Sequence, residues 1–137
     1  MSDADRDDPE FVGTMMPFCA KLGMTTVTAG PDLVSLSLDW APELCTTNGI
    51  LHGGAIMALA DSAGGTCAFL NLPEGAAGTS TIESKTNFLG AVRSGSVVAS
   101  SRPLHVGRTT VVIETEVRAG DKLVAKVTQT QSVLQPR

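Results

Sequence analysis

From Gly53 to Leu72 the chain is nearly uncharged and rich in alanine, and Asp61 is the only charged residue between His52 and Glu74. A run of this length exceeds a typical strand and carries no solvated face, which predicts one long helix buried on all sides. It is also about long enough to cross a bilayer. Its glycines, Asp61, Ser62 and Thr66 make it small and polar, and no anchoring residues flank it, so no membrane span is expected. An all-round apolar helix needs a cover. With 137 residues, 42% of them hydrophobic and 18% charged, the chain has material for one compact domain in which the rest wraps that helix.

The rest supplies strands. Thr79 to Phe88, Ser96 to Val106, Thr109 to Arg118 and Leu123 to Leu134 show period-two patterning, broken at Gly90 to Gly95, at Gly107-Arg108 and at Ala119 to Lys122. In the third of these Val111, Ile113, Thr115 and Val117 share one face, and Glu114, Glu116 and Arg118 the other. Before the helix, Met24 to Ala29 and Leu33 to Trp40 flank Gly30-Pro31-Asp32 and read as a hairpin. Phe11, Val12, Met15, Met16, Cys19 and Leu22 recur at helical spacing, interrupted by Pro17. Residues 1–10 read as an acidic, disordered tail and residues 11–137 as the domain. The expected class is α+β: two strands, a long central helix, then four strands in meander wrapped around it.

The net charge is −4, and it is unevenly spread. From Lys85 onward eight bases face three acids, whereas the preceding part is acidic. Solvated strand faces explain such a distribution; a site for a phosphate-bearing ligand, using Lys85, Arg93, Arg102 or Arg108, is the sharper reading. An acidic chain with 4% aromatics and no Tyr is a poor nucleic-acid binder. Cys19, Cys45 and Cys67 form no C-x-x-C pair and no zinc spacing with His52 or His105, so reduced thiols and no metal are expected. The acidic start lacks a secretory pattern, which points to the cytoplasm.

Chemistry concentrates in Thr46 to Ser62. Gly53-Gly54 opens the helix, leaving backbone N–H groups and the positive dipole end uncovered by side chains, a geometry that can hold the oxygen of a polarised carbonyl. The plainer reading is a tight loop-to-helix turn. Asp61 stands alone on an apolar helix, where a carboxylate is costly unless a partner or a task retains it. It lies seven residues beyond Gly54, about 10 Å along the axis, so one chain cannot easily bring both to one atom. Two copies with antiparallel helices about a two-fold axis would bring Gly53 of one opposite Asp61 of the other.

Gly49-Ile50-Leu51-His52-Gly53-Gly54, the Ala-rich helix with Asp61, and Lys85-Thr86-Asn87-Phe88-Leu89, followed by Gly95, Gly107-Arg108 and the final hairpin, resemble the hotdog-fold acyl-CoA thioesterases of the PaaI-like group. The resemblance covers nearly the whole chain after residue 10. It implies a long helix wrapped by an antiparallel sheet and hydrolysis of an acyl-CoA thioester, with coenzyme A as part of the substrate and no other cofactor. Asp61 would be the nucleophile or general base, the Gly53 amide the oxyanion donor, and His52 a group that positions substrate or thiolate. It also implies a dimer-shared site and a tetramer of two dimers. Gly54, Gly65, Thr66, Thr79 and Ser80 would line the substrate, and Arg93, Arg102 and Arg108 would meet its phosphates.

The chain departs from the family at three places. Six residues before His52, where Asn or Gln is common, stands Thr46, with Asn48 two residues on; both stay candidates. Four residues after Asp61, where some relatives carry Ser or Thr, stands Gly65, so Thr66, Thr79 or Ser80 would have to supply a hydroxyl. Gly90-Ala91 replaces a common Pro. No G-x-S-x-G elbow or nucleotide-phosphate loop occurs. Two other functions fit the same fold: a non-catalytic acyl-CoA binder, and a dehydratase or hydratase with His52 as principal base.

Overall fold

The computed structural model describes residues 2–137. The N-terminal third carries three short helices, α1 (Asp3–Arg6), α2 (Phe11–Met15) and α3 (Pro17–Leu22), and the hairpin β1 (Thr25–Ala29) and β2 (Val34–Asp39). The break between α2 and α3 follows from Pro17, which takes the first position of α3 and holds Met16 in an extended conformation (φ −126°, ψ 106°). Gly23 ends α3 with φ 79°, a left-handed turn that a side chain would strain.

The long helix is α4 (Gly53–Leu70), followed by β3 (Gly78–Phe88), β4 (Ser96–Val106), β5 (Thr110–Ala119) and β6 (Lys122–Leu134). All six strands form one sheet, antiparallel at each described pairing, in the order β1-β2-β4-β5-β6-β3. The sheet curls around α4, which packs against β2, β3, β4, β5 and β6. Leu36, Leu38, Val97, Val111, Ile113 and Val117 point inward onto Leu59, Ala60, Ala63 and Cys67, and all are buried. The sheet covers much of the apolar surface of this helix.

Three expectations need correction. The last four strands are not a simple meander: β4, β5 and β6 are joined in sequence, but β3 crosses to the far edge and pairs with β6, Gly78 opposite Leu134 and Phe88 opposite Ala125. The helix is not buried all round. Met57 (42% exposed), Asp61, Gly65 and Phe69 (44% exposed) recur every four residues and form an open stripe flanked by β3, so Asp61 is exposed rather than buried in the single chain. The acidic segment, expected as a free tail, is held against β1. Asp7 accepts a hydrogen bond from Ala29 N–H (3.1 Å), Pro9 carbonyl one from Thr26 N–H (2.9 Å), and Arg6 donates to the Ala29 carbonyl (3.3 Å).

Candidate active site

The loop entering α4 explains much of its own sequence. Asn48 (φ 64°) and Gly49 (φ 67°) are both left-handed, a conformation Asn and Gly adopt at least cost. Thr46 N–H donates to the Ile50 carbonyl (2.8 Å) and Trp40 Nε1 to the Gly49 carbonyl (3.0 Å), which closes the loop. Thr46 and Asn48 are exposed on it, at the Gly53 end of the helix and away from Asp61 of the same chain.

His52 is the N-cap of α4, and its Nδ1 accepts the Gly54 N–H at 2.7 Å. In the neutral ring the proton therefore sits on Nε2, which becomes a donor. A Cβ at Gly54 would come within 2.8 Å of that Nδ1, so the second glycine is required by the cap. A Cβ at Gly53 would meet the Phe88 ring at 3.1 Å. The Gly53 N–H, first in the helix, has no acceptor among the described residues and stays available at the positive end of the dipole.

Two turns further, Asp61 Oδ1 accepts from Gln129 Nε2 (3.2 Å) and from Thr81 Oγ1 (3.4 Å). Thr81 in turn accepts from Gln131 Nε2 (2.5 Å), whose Oε1 accepts from Thr79 Oγ1 (3.0 Å). The carboxylate sits on the rim of a cavity of about 250 Å³ shared with Met15, Gly65, Thr66, Phe69, Thr79 and Ser80. Of the hydroxyls expected here, Thr66 is spent on the Ser62 carbonyl (2.7 Å) and Thr79 also on the Ser132 carbonyl (2.9 Å), while the Ser80 side chain donates to no described group. The hydroxyl that reaches Asp61 belongs to Thr81, next to the expected pair.

Gln129 and Gln131 are fully buried, and sequence reasoning passed over them. The available signal was the alternation of β6. Val127, Gln129, Gln131 and Val133 share the inward face, and Thr128, Thr130 and Ser132 lie between them. Gln129 Oε1 has no hydrogen-bond partner among the described residues, an arrangement that costs about 1–3 kcal/mol. It occupies the space beside Gly64, where a Cβ would lie 1.8 Å from it, whereas a Cβ at Gly65 meets nothing within 4 Å. Opposite outcomes follow for adjacent glycines. Gly65→Ala should stabilise the fold by about 0.5–1 kcal/mol through helix propensity, and Gly64→Ala should destabilise it by displacing Gln129. Urea midpoints of both variants check this.

The basic residues do not converge within one chain. Arg93 and Arg108 lie beyond opposite ends of β4, whose 11 residues span about 36 Å. Arg108 sits near Glu74 and Gln135, and Arg102 lies opposite Glu114 on the outer face. Arg118 and Lys126 are spent on ion pairs. A hydrogen bond from Arg118 holds the Glu116 carboxyl below its usual range, and one to Glu114 holds Lys126 above its own. Burial pushes the Cys67 thiol up to about 11 and raises Cys19, which disfavours the thiolate in both. A second cavity, about 230 Å³, lies beside His52 and Gly54 and is lined by Phe18, Leu22, Leu44, Cys45, Ala55 and Ala58.

A long helix wrapped by one antiparallel sheet is the hotdog arrangement, and on that helix a free glycine amide and a carboxylate stand two turns apart. The family model described as the thioesterase superfamily matches residues 48–126, and the chain belongs to that family. The proofreading thioesterase EntH of Cronobacter sakazakii is 33% identical over 97 residues, 71% of this chain and 68% of EntH. Rv1847 of Mycobacterium tuberculosis is 33% identical over 104 residues, 74% of either chain. The crystal structure of thioesterase HI1161 of Haemophilus influenzae superposes with a TM-score of 0.85 at 28% identity, over 93% of this chain and 90% of that one.

Proposed function

We propose that the protein is an acyl-CoA thioesterase of the PaaI-like group, acting in the cytoplasm as a dimer or a tetramer of dimers, with each site shared by two chains. The observation that carries the reading is the pairing of a braced, accessible Asp61 with an uncapped Gly53 amide on one helix, too far apart to serve one substrate alone. The open stripe of α4 and β3, whose Ile82 (63% exposed) and Phe88 are uncovered and which among the described strands pairs with β6 alone, supports a second copy lying across it. Antiparallel α4 helices would bring Asp61 of one chain to Gly53 and His52 of the other.

In that arrangement Asp61 takes a proton from water as the oxygen attacks the thioester carbonyl carbon. Gly53 N–H receives the developing oxyanion. Collapse of the tetrahedral intermediate breaks the C–S bond and expels coenzyme A thiolate, beside which His52 Nε2–H is a donor. Direct attack by Asp61 through an anhydride uses the same groups. Thr46 or Asn48, on the Gly53 side, would orient the thioester, and the residues beside Asp61, Gly65, Thr66, Thr79 and Ser80, would line the path. Arg93, Arg102 and Arg108 remain phosphate contacts that different stretches of coenzyme A, or different chains, would use. The dehydratase reading loses weight because His52 Nδ1 already accepts the Gly54 N–H, so that nitrogen is not free to serve as a base.

The test is coenzyme A release from short, medium, long and aryl acyl-CoAs, read by chromatography so that the partly accessible Cys45 does not consume a thiol reagent. Turnover of at least one class is expected. Tight binding of acyl-CoA without turnover of any would favour the non-catalytic binder.

A further inference from the structure

Gln129 is fully buried on the inward face of β6, opposite Ile113 on β5 and Ser84 on β3. Its surroundings are unfavourable for an amide. The carbonyl oxygen Oε1 has no hydrogen-bond partner among the described residues, and α4 makes room for it by having bare backbone at Gly64, where any Cβ would overlap it. A residue present for packing alone would be an apolar side chain opposite an alanine, which avoids both an unpartnered buried oxygen and a glycine inside a helix. What the arrangement achieves is one contact: Nε2 donates to Asp61 Oδ1 at 3.2 Å, from a side chain immobilised by complete burial.

Thr81 Oγ1 donates to the same oxygen, and its own orientation is set by Gln131 Nε2. Both donors meet Oδ1, and no described group donates to Oδ2. An exposed aspartate at the edge of a helix ordinarily samples several rotamers. Here it is tied at one oxygen and free at the other.

We infer that Gln129 is a positioning residue for Asp61, seated in the slot left by Gly64, and that it fixes one carboxylate oxygen so that the other faces the reacting water. The inference rests on the proposed role of Asp61. It predicts that a fold-level liability is kept for a catalytic benefit, so stability and turnover should part company on substitution.

The experiment replaces Gln129 with Met, which keeps its length and removes both polar atoms, in the wild-type and Asp61→Asn backgrounds. Gln129→Met should lower kcat roughly tenfold or more, as loss of a hydrogen bond to a charged group does, with KM changed less than about twofold and a melting temperature no lower than wild type. In the Asp61→Asn background it should have little further effect on kcat, because the group it positions no longer acts. Gln129→Leu provides a second apolar replacement if Met packs poorly. An unchanged kcat in a folded Gln129→Met or Gln129→Leu protein overturns the inference, as does an equal fall in both backgrounds or a fall in kcat that tracks a fall in melting temperature. If Asp61→Asn itself retains turnover, the reading of Asp61 fails instead, and the two failures are told apart.

Discussion

Asp61→Asn should lower kcat for thioester hydrolysis by two or more orders of magnitude while leaving the fold intact. Asn has the same shape and retains an Oδ1 that can accept from Gln129 and Thr81, so the brace survives. Asp61 is exposed on the open stripe of α4, so the exchange buries no new polar group. What is lost is the ability to take a proton or to attack carbon, and general-base contributions are typically about 100- to 10,000-fold. Steady-state turnover and a thermal melt on one preparation measure both. A loss smaller than about tenfold would remove Asp61 from the chemistry.

Gly53→Pro should cost a comparable factor, about 100- to 1,000-fold in kcat, because it deletes the one N–H proposed to receive the oxyanion. The backbone tolerates the change. Gly53 is the first helical residue, where proline is favoured, and His52 before it is extended (φ −61°, ψ 134°), as a residue preceding proline must be. Any Cβ at this position crowds the Phe88 ring, so Gly53→Ala, which retains the N–H, is the control. Ala should lose far less than Pro. Equal losses would mean that the space beside Phe88, and not the amide, is what the first glycine provides.

Local features were legible in the sequence because their causes are local. The uncharged run marked α4, Pro17 marked the break between α2 and α3, and the alternation of Val111 to Val117 with Glu114 and Glu116 marked the two faces of β5. Gly53, Gly54 and Asp61 stood out for the same reason: bare backbone and a lone charge are visible without knowing what lies opposite. The placement of β3 beside β6 depends on pairing between segments separated by two other strands, and no periodicity reports it. The open stripe on α4 escaped notice because Met57 and Phe69 read in a hydropathy pattern like the covered apolar residues of the same helix, whether a strand lies over them or not. Gln129 and Gln131 escaped because polar residues in an alternating strand are ordinarily assigned to the solvent face. Their meaning depends on Gly64 and Thr81 across the core. The basic half looked like one patch, whereas in space Arg118 and Lys126 are neutralised by neighbouring glutamates and Arg93 and Arg108 lie at opposite ends of β4.

In the proposed dimer each site takes Asp61 from one chain and the Gly53 amide from the other. Subunit mixing tests it most directly. Asp61→Asn and Gly53→Pro chains, carrying different affinity tags, are co-expressed, and the doubly tagged species is isolated and assayed beside each parent. A mixed dimer would hold one site with both defects and one site with neither. Its activity should approach half that of the wild type, although each parent is nearly inactive. Activity in the isolated mixed species no higher than in the parents would rule out the shared site, and would place Asp61 and Gly53 in the service of the same chain's site or of different tasks.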